Sequence, residues 1–150
     1  MNRSLYVTGK PIPQGSTKAF AVKGKAFTTS TNAGPLARYR NDIRNIWTTS
    51  PKKGERLEPD PVDGEVVMVI DFTFARPKSH YLPANSKRKE RELREDAPAY
   101  VIGKPDLDKL IRAVGDALTG YAYKDDAQVV QVVAHKRWGE AARTHITVSS

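Results

Sequence analysis

Two pairs of aspartates fall within a short interval of this sequence: Asp106 and Asp108, separated by one residue, and the adjacent Asp125 and Asp126. Carboxylate oxygens are the hard ligands that Mg²⁺ and Mn²⁺ prefer, and a few acids with several waters make a usual site for either ion. Drawn together, the four repel one another unless a cation neutralises them. Lys109 and Arg112 follow Asp108 by one and four residues, within helical reach of a phosphate or of charge developing on a departing oxygen. Metal-assisted cleavage of a phosphodiester needs these parts: carboxylates to hold metal, metal to activate water and polarise phosphate, and a cation against the developing charge. Read singly, the acids are ordinary. Asp106 at a helix start reads as a cap and Asp125-Asp126 as a turn. Asp116 lies near a helix end, where the dipole disfavours an anion, and Arg112 on the same face would serve as its partner.

The acids are positioned by elements that the apolar periodicity outlines. Pro105 to Leu118 reads as the clearest helix, with Leu107, Leu110, Ile111, Val114 and Leu118 on one stripe and Gly120 just past its end. Since a helix rises about 1.5 Å per residue, the two acid pairs converge only if the following chain folds back. Pro35 to Thr48 shows a second helical stripe through Leu36, Tyr39, Ile43, Ile46 and Trp47. Glu65 to Arg76 reads as a central strand, and its second face, with Val67, Val69, Asp71 and Thr73, looks apolar enough to be covered too. Leu5 to Thr8 is a short strand, and Ala19 to Thr28 a hairpin bent at Lys23-Gly24-Lys25. Val129 to Trp138 and Thr144 to Val148 close the chain as two strands, expected to form a hairpin through Gly139 to Ala142.

The chain has 150 residues, with 25 Lys plus Arg against 17 Asp plus Glu, a formal net charge of +8. Such an excess draws a protein toward polyanions by releasing their counterions, although the same charge also serves solubility. Part of it lies in the aperiodic stretch Pro77 to Lys104, where Lys78, Lys87, Arg88, Lys89, Arg91 and Arg94 read either as a DNA-lining segment or as a solvated charge run. Cysteine is absent, which excludes disulfides, a thiolate nucleophile and cysteine zinc sites. His80, His135 and His145 lack metal-ligand spacing, and Trp47 and Trp138 read as core residues. No apolar run approaches the roughly 18 residues of a membrane span, and no signal peptide is evident, so a cytoplasmic protein is expected.

Lys104-Pro105-Asp106-Leu107-Asp108-Lys109-Leu110-Ile111-Arg112, then Asp116-Ala117-Leu118-Thr119-Gly120, then Asp125-Asp126-Ala127-Gln128-Val129-Val130, resembles the RusA family of Holliday junction resolvases. The opening Gly9-Lys10-Pro11-Ile12-Pro13-Gln14-Gly15-Ser16 is similar to the start of phage-borne members. The resemblance implies an α/β (α+β) fold: one compact domain over residues 1–150, a mixed sheet and about two main helices. It also implies a homodimeric nuclease that binds four-way DNA junctions in recombination and repair. With Mg²⁺ or Mn²⁺ it would nick two opposed strands, water attacking phosphorus in line to leave 5′-phosphate and 3′-hydroxyl ends. Asp106, Asp108 and Asp126 match the family's metal-binding aspartates, and Asp125 is the adjacent acid. The setting implied is a bacterial cell, with the gene phage- or prophage-borne.

One departure stands out. The family's D-x-D-N-x-x-K carries asparagine and a catalytic lysine where this chain has Lys109 and Arg112. Arginine keeps the charge but not the titratable amine, so Arg112 is expected to hold phosphate, with Lys109 as the alternative cation. Three other readings remain: a non-catalytic basic DNA-binding module, a nuclease for other branched DNA, and a D-x-D transferase. The last lacks a glycine-rich phosphate loop.

Overall fold

A computed structural model describes residues 1–15, 17–30, 32–85, 87 and 91–150. Its strands and main helices, in chain order, are β1 (Asn2–Thr8), β2 (Thr17–Val22), β3 (Lys25–Ser30), α1 (Ala33–Trp47), β4 (Val66–Ala75), α2 (Leu107–Leu118), β5 (Val129–Gly139) and β6 (Arg143–Ser149). Four strands form one mixed sheet in the order β1-β6-β4-β5, while β2 and β3 make a separate antiparallel hairpin. β4 and β5 run parallel, a pairing that needs a crossover, and the segment containing α2 supplies it. The domain is therefore α+β, as expected from the sequence.

Strand alternation explains where the helices lie. Val66, Met68, Ile70, Phe72 and Phe74 of β4 share one buried face with Leu5 and Val7 of β1 and Ile146 and Val148 of β6. Against it α1 buries Leu36, Tyr39, Ile43 and Trp47, and α2 buries Leu110, Ala113, Val114, Ala117 and Leu118. Each fully buried Leu, Ile or Phe contributes about 1.5–3 kcal/mol, so this one layer fixes α2 relative to the sheet. The Tyr39 hydroxyl is paired with the Thr144 hydroxyl at 2.6 Å, and burial pushes its pKa up.

Three expectations are corrected. β5 and β6 are not a hairpin, because β4 lies between them. The chain crosses the end of β4 at Gly139, where a Cβ would stand 2.5 Å from Thr73 Cγ2, and Arg76 N donates to Gly139 O at 2.9 Å. Only glycine permits so close a passage. The second face of β4 is not covered either: no helix or strand among the described residues packs across it, and Val69 is 40% exposed. Charged groups make that face tolerable to water, since Asp71 accepts from Arg137 at 2.7 Å and lies 3.5 Å from His135, beside Tyr6 stacked on His145. Finally, α2 begins at Leu107 rather than Pro105, because Asp106 has extended backbone, ψ 136°.

Candidate functional site

The start of α2 gathers Asp106, Asp108, Lys109 and Arg112. Asp106 occupies the N-cap position, yet its side chain makes no capping hydrogen bond. Its carboxylate lies 3.7 Å from Lys109 Nζ instead. Asp108 sits in the first turn, exposed, and Arg112 follows one turn later, also exposed. Neither has a hydrogen-bond or ion-pair partner among the described residues. Two carboxylates that the fold does not use thus stand at the positive end of a helix dipole, beside two cations.

The loop leading into this corner is tied to the sheet by Lys136 of β5, whose Nζ donates to Gly103 O at 2.7 Å and Pro105 O at 2.8 Å. Lys136 was not singled out from the sequence. Its signal is a broken alternation, a charge between Ala134 and Trp138 on the core-facing side of β5. The N-terminal turn closes the other side. Gln14 N donates to Lys109 O at 2.9 Å, and Asn32 Nδ2 donates to Pro13 O at 2.7 Å. Arg40 of α1 donates to both Gln14 Oε1 and Asp116 Oδ2. The partner of Asp116 is therefore Arg40 and not Arg112, and Arg44 supports the same helix end by donating to Asp116 O and Ala117 O. Between the turn and α2 lies a cleft of about 490 Å³ lined by Lys10, Gln14, Lys104, Asp106 and Lys109 among others.

The second acid pair lies beyond the opposite end of α2. Asp125 caps a short 3₁₀ turn over Asp126–Gln128, accepting from Ala127 N at 2.8 Å, while Gln128 Oε1 accepts from Asp125 N at 2.9 Å. Gln128 Nε2 then donates to Val62 O and Gly64 O, anchoring the entry to β5. Asp126 is exposed, and its carboxylate has no hydrogen-bond or ion-pair partner among the described residues. Its charge nevertheless reaches Tyr123. Burial, with help from Asp126 and Asp116 and partly offset by the Thr119 hydroxyl, pushes the Tyr123 phenol up to about 12.

One chain does not bring the two pairs together. The helix between them has 12 residues, a rise of about 18 Å. β5 returns along it, so that Lys136 and not Asp126 meets the helix start. Among the described residues no group of three or more acidic or histidine side chains stands close enough to hold a metal ion.

Of the basic stretch, Lys78, Lys87, Arg91 and Arg94 are exposed, whereas Arg88 and Lys89 lie outside the described residues. Arg91 sits over the Tyr81 ring at 4.7 Å and Arg94 pairs with Asp96 at 3.2 Å. Leu82 N bonds Glu92 O and Arg94 N bonds His80 O, so the segment doubles back on itself. Residues 99–101 then run along the edge of β5 toward α2. Of the histidines, His80 packs edge-on to Trp138 and His145 stacks on Tyr6.

Comparison with known proteins agrees with this arrangement in extent. The family described as Endodeoxyribonuclease RusA matches residues 8–149. A protein of Bacillus subtilis (strain 168) named Uncharacterized protein YqaN is 34% identical over 142 residues, covering 95% of this chain and 92% of that protein. No helix among the described residues is long and apolar enough to cross a membrane. The chain belongs to the RusA endodeoxyribonuclease family.

Proposed function

We propose that this chain is a divalent-metal-dependent endonuclease that binds four-way DNA junctions as a homodimer and resolves them by paired nicks. One observation carries the reading: Asp106 and Asp108 are carboxylates unused by the fold, set beside Lys109 and Arg112. Their hard oxygens suit Mg²⁺ or Mn²⁺, which would supply activated water and polarisation of the phosphate. Among the described residues a single chain brings two acids to that corner, so Asp126 of a second copy, with the remaining oxygen of its neighbour Asp125, completes the set. Two copies then make two such sites, one for each nicked strand.

Around the reacting phosphate, each residue has a separate task. Arg112 remains charged throughout and holds phosphate oxygens. Lys109, restrained by Asp106, offsets charge on the departing oxygen. Lys78, Lys87, Arg91 and Arg94, with Arg88 and Lys89, contact the DNA backbone, which positions the junction without reading its sequence. The setting is recombination and repair of bacterial or phage DNA in the cytoplasm.

The test compares a synthetic four-way junction with a matched linear duplex, in Mg²⁺ or EDTA, for the unmodified protein and Asp108→Asn. Paired nicks confined to junction, metal and intact Asp108 are expected. Tight junction binding with no nick under any metal would replace the proposal with a non-catalytic binding module, and flap or fork cleavage without junction cleavage would change the substrate. Nicking by Arg112→Ala at the unmodified rate would remove Arg112 from its assigned role.

A further inference from the structure

We infer that Gln14 reads the base flanking the cut site, and that Arg40 and Asp116 set what it can read. The inference rests on the nuclease reading above and assigns a sequence-selecting role that the metal site does not contain. Gln14 lines the cleft together with Asp106 and Lys109, and its backbone N donates to Lys109 O at 2.9 Å. At about 490 Å³ the cleft falls within the usual range for small-ligand sites, about 300–1,000 Å³. Lys10 and Lys104 suit it to phosphates, while Ile12, Pro13 and Pro35 give it apolar walls suited to a sugar or a base face. A nucleotide next to a phosphate held at Asp106 and Asp108 has this cleft directly beside it.

The state of the Gln14 carboxamide decides its selectivity. With both ends free, a glutamine reads adenine by accepting from N6 and donating to N7. Here Arg40 donates to Oε1, and Asp116 holds Arg40 in turn. This contact disfavours flipping of the amide and occupies one of the two lone pairs of Oε1 on the Arg40 side. The amide nitrogen has no partner among the described residues, so the donor end of Gln14 is the end left fully open to a ligand in the cleft. An amide that meets a base through its nitrogen favours edges that place acceptors together, such as N7 and O6 of guanine or N3 and O2 of cytosine. Adenine edges, which pair an acceptor with a donor, are disfavoured.

The experiment uses non-migrating four-way junctions carrying each of the four bases at the positions flanking the cut, with cleavage rates read for the full-length protein. Adenine is expected to be poorest at one flanking position by about tenfold. Gln14→Ala flattens that difference. Gln14→Glu, which leaves acceptors in place of the donor, reverses it in favour of adenine, whose N6 amino group donates beside N7. Because every readout is a ratio among bases within one protein, a general loss of activity or stability cancels. The same panel is run as binding affinities with Asp108→Asn, so that absence of nicking sinks the nuclease reading separately. A base preference unchanged by either Gln14 substitution, or no preference in rate or affinity, overturns the role of Gln14.

Discussion

The two ends of α2 carry the same residue type and use it differently. At the far end Asp125 caps the next turn, and Gln128 three residues later closes a reciprocal capping box. At the start Asp106 holds an equivalent N-cap position, but the residue three later is Lys109, a cation that offers its ammonium and leaves the backbone donors alone. A carboxylate at a helix start is therefore not a cap by default. The partner three residues on decides, and where that partner is a cation the carboxylate stays available for other chemistry.

The sharpest way to break this contrast is kinetic. Asp106→Asn, Asp108→Asn and Asp126→Asn should each lower nicking on the order of 10²–10³-fold. Mixing Asp106→Asn with Asp126→Asn protein should then restore nicks in one strand of each junction, because a mixed dimer rebuilds one complete set. If the mixture stays as inactive as its components, the two helix ends do not meet across copies.

A second effect involves Tyr123 at the far end. An unfolded tyrosine ionises near 10, whereas Tyr123 holds its proton to about 12. Between these values the unfolded state binds fewer protons, so stability falls as pH rises, by roughly 1.4 kcal/mol per pH unit for one such group, and none of this loss is present below pH 10. Tyr39 adds a loss of the same sign. Denaturant unfolding at stepped pH should show the slope, and Tyr123→Phe should remove its share. A slope unchanged by that substitution would clear Tyr123 of the effect.

The smallest effects test capping directly. Asp125→Ala should cost about 1 kcal/mol, a fall in Tm of roughly 2–4 °C for a chain of this size. Asp106→Ala, with no cap to lose, should change stability by less than about 0.5 kcal/mol. Equal losses in thermal melts would erase the distinction between the ends.

Much of this frame is legible before any coordinates. The stripe through Leu110, Val114 and Leu118 marks α2, the run from Val66 to Phe74 marks the central strand, and Asp125-Asp126 reads as a turn, which the structure shows to be a capped 3₁₀ turn. Strand partners are less legible. Nothing local in Gly139 to Ala142 distinguishes a hairpin from a crossing over β4, because the deciding contact is with Thr73, far away in sequence. The same distance hides Arg40 as the partner of Asp116, since Arg112 is the nearer candidate by helical spacing. At the site itself, the aspartates and the cations beside them are readable by type. Their separation follows from helix length only once β5 is known to return alongside α2 and not to fold Asp126 back to its start.

The pairing of β1 with β6 has a kinetic side. Ser4 and Thr147 share a hydrogen bond across 143 residues, and among the described residues β6 is the one sheet neighbour of β1. β1 is synthesised well before β6 and must wait for it before its backbone donors and acceptors are paired. Closing so long a loop late places this domain among the high-contact-order folds, which fold slowly. During that wait Leu5 and Val7 have α1 to pack on but no strand beside them. A nascent chain in this state is most exposed to mispairing with its neighbours at this outer edge.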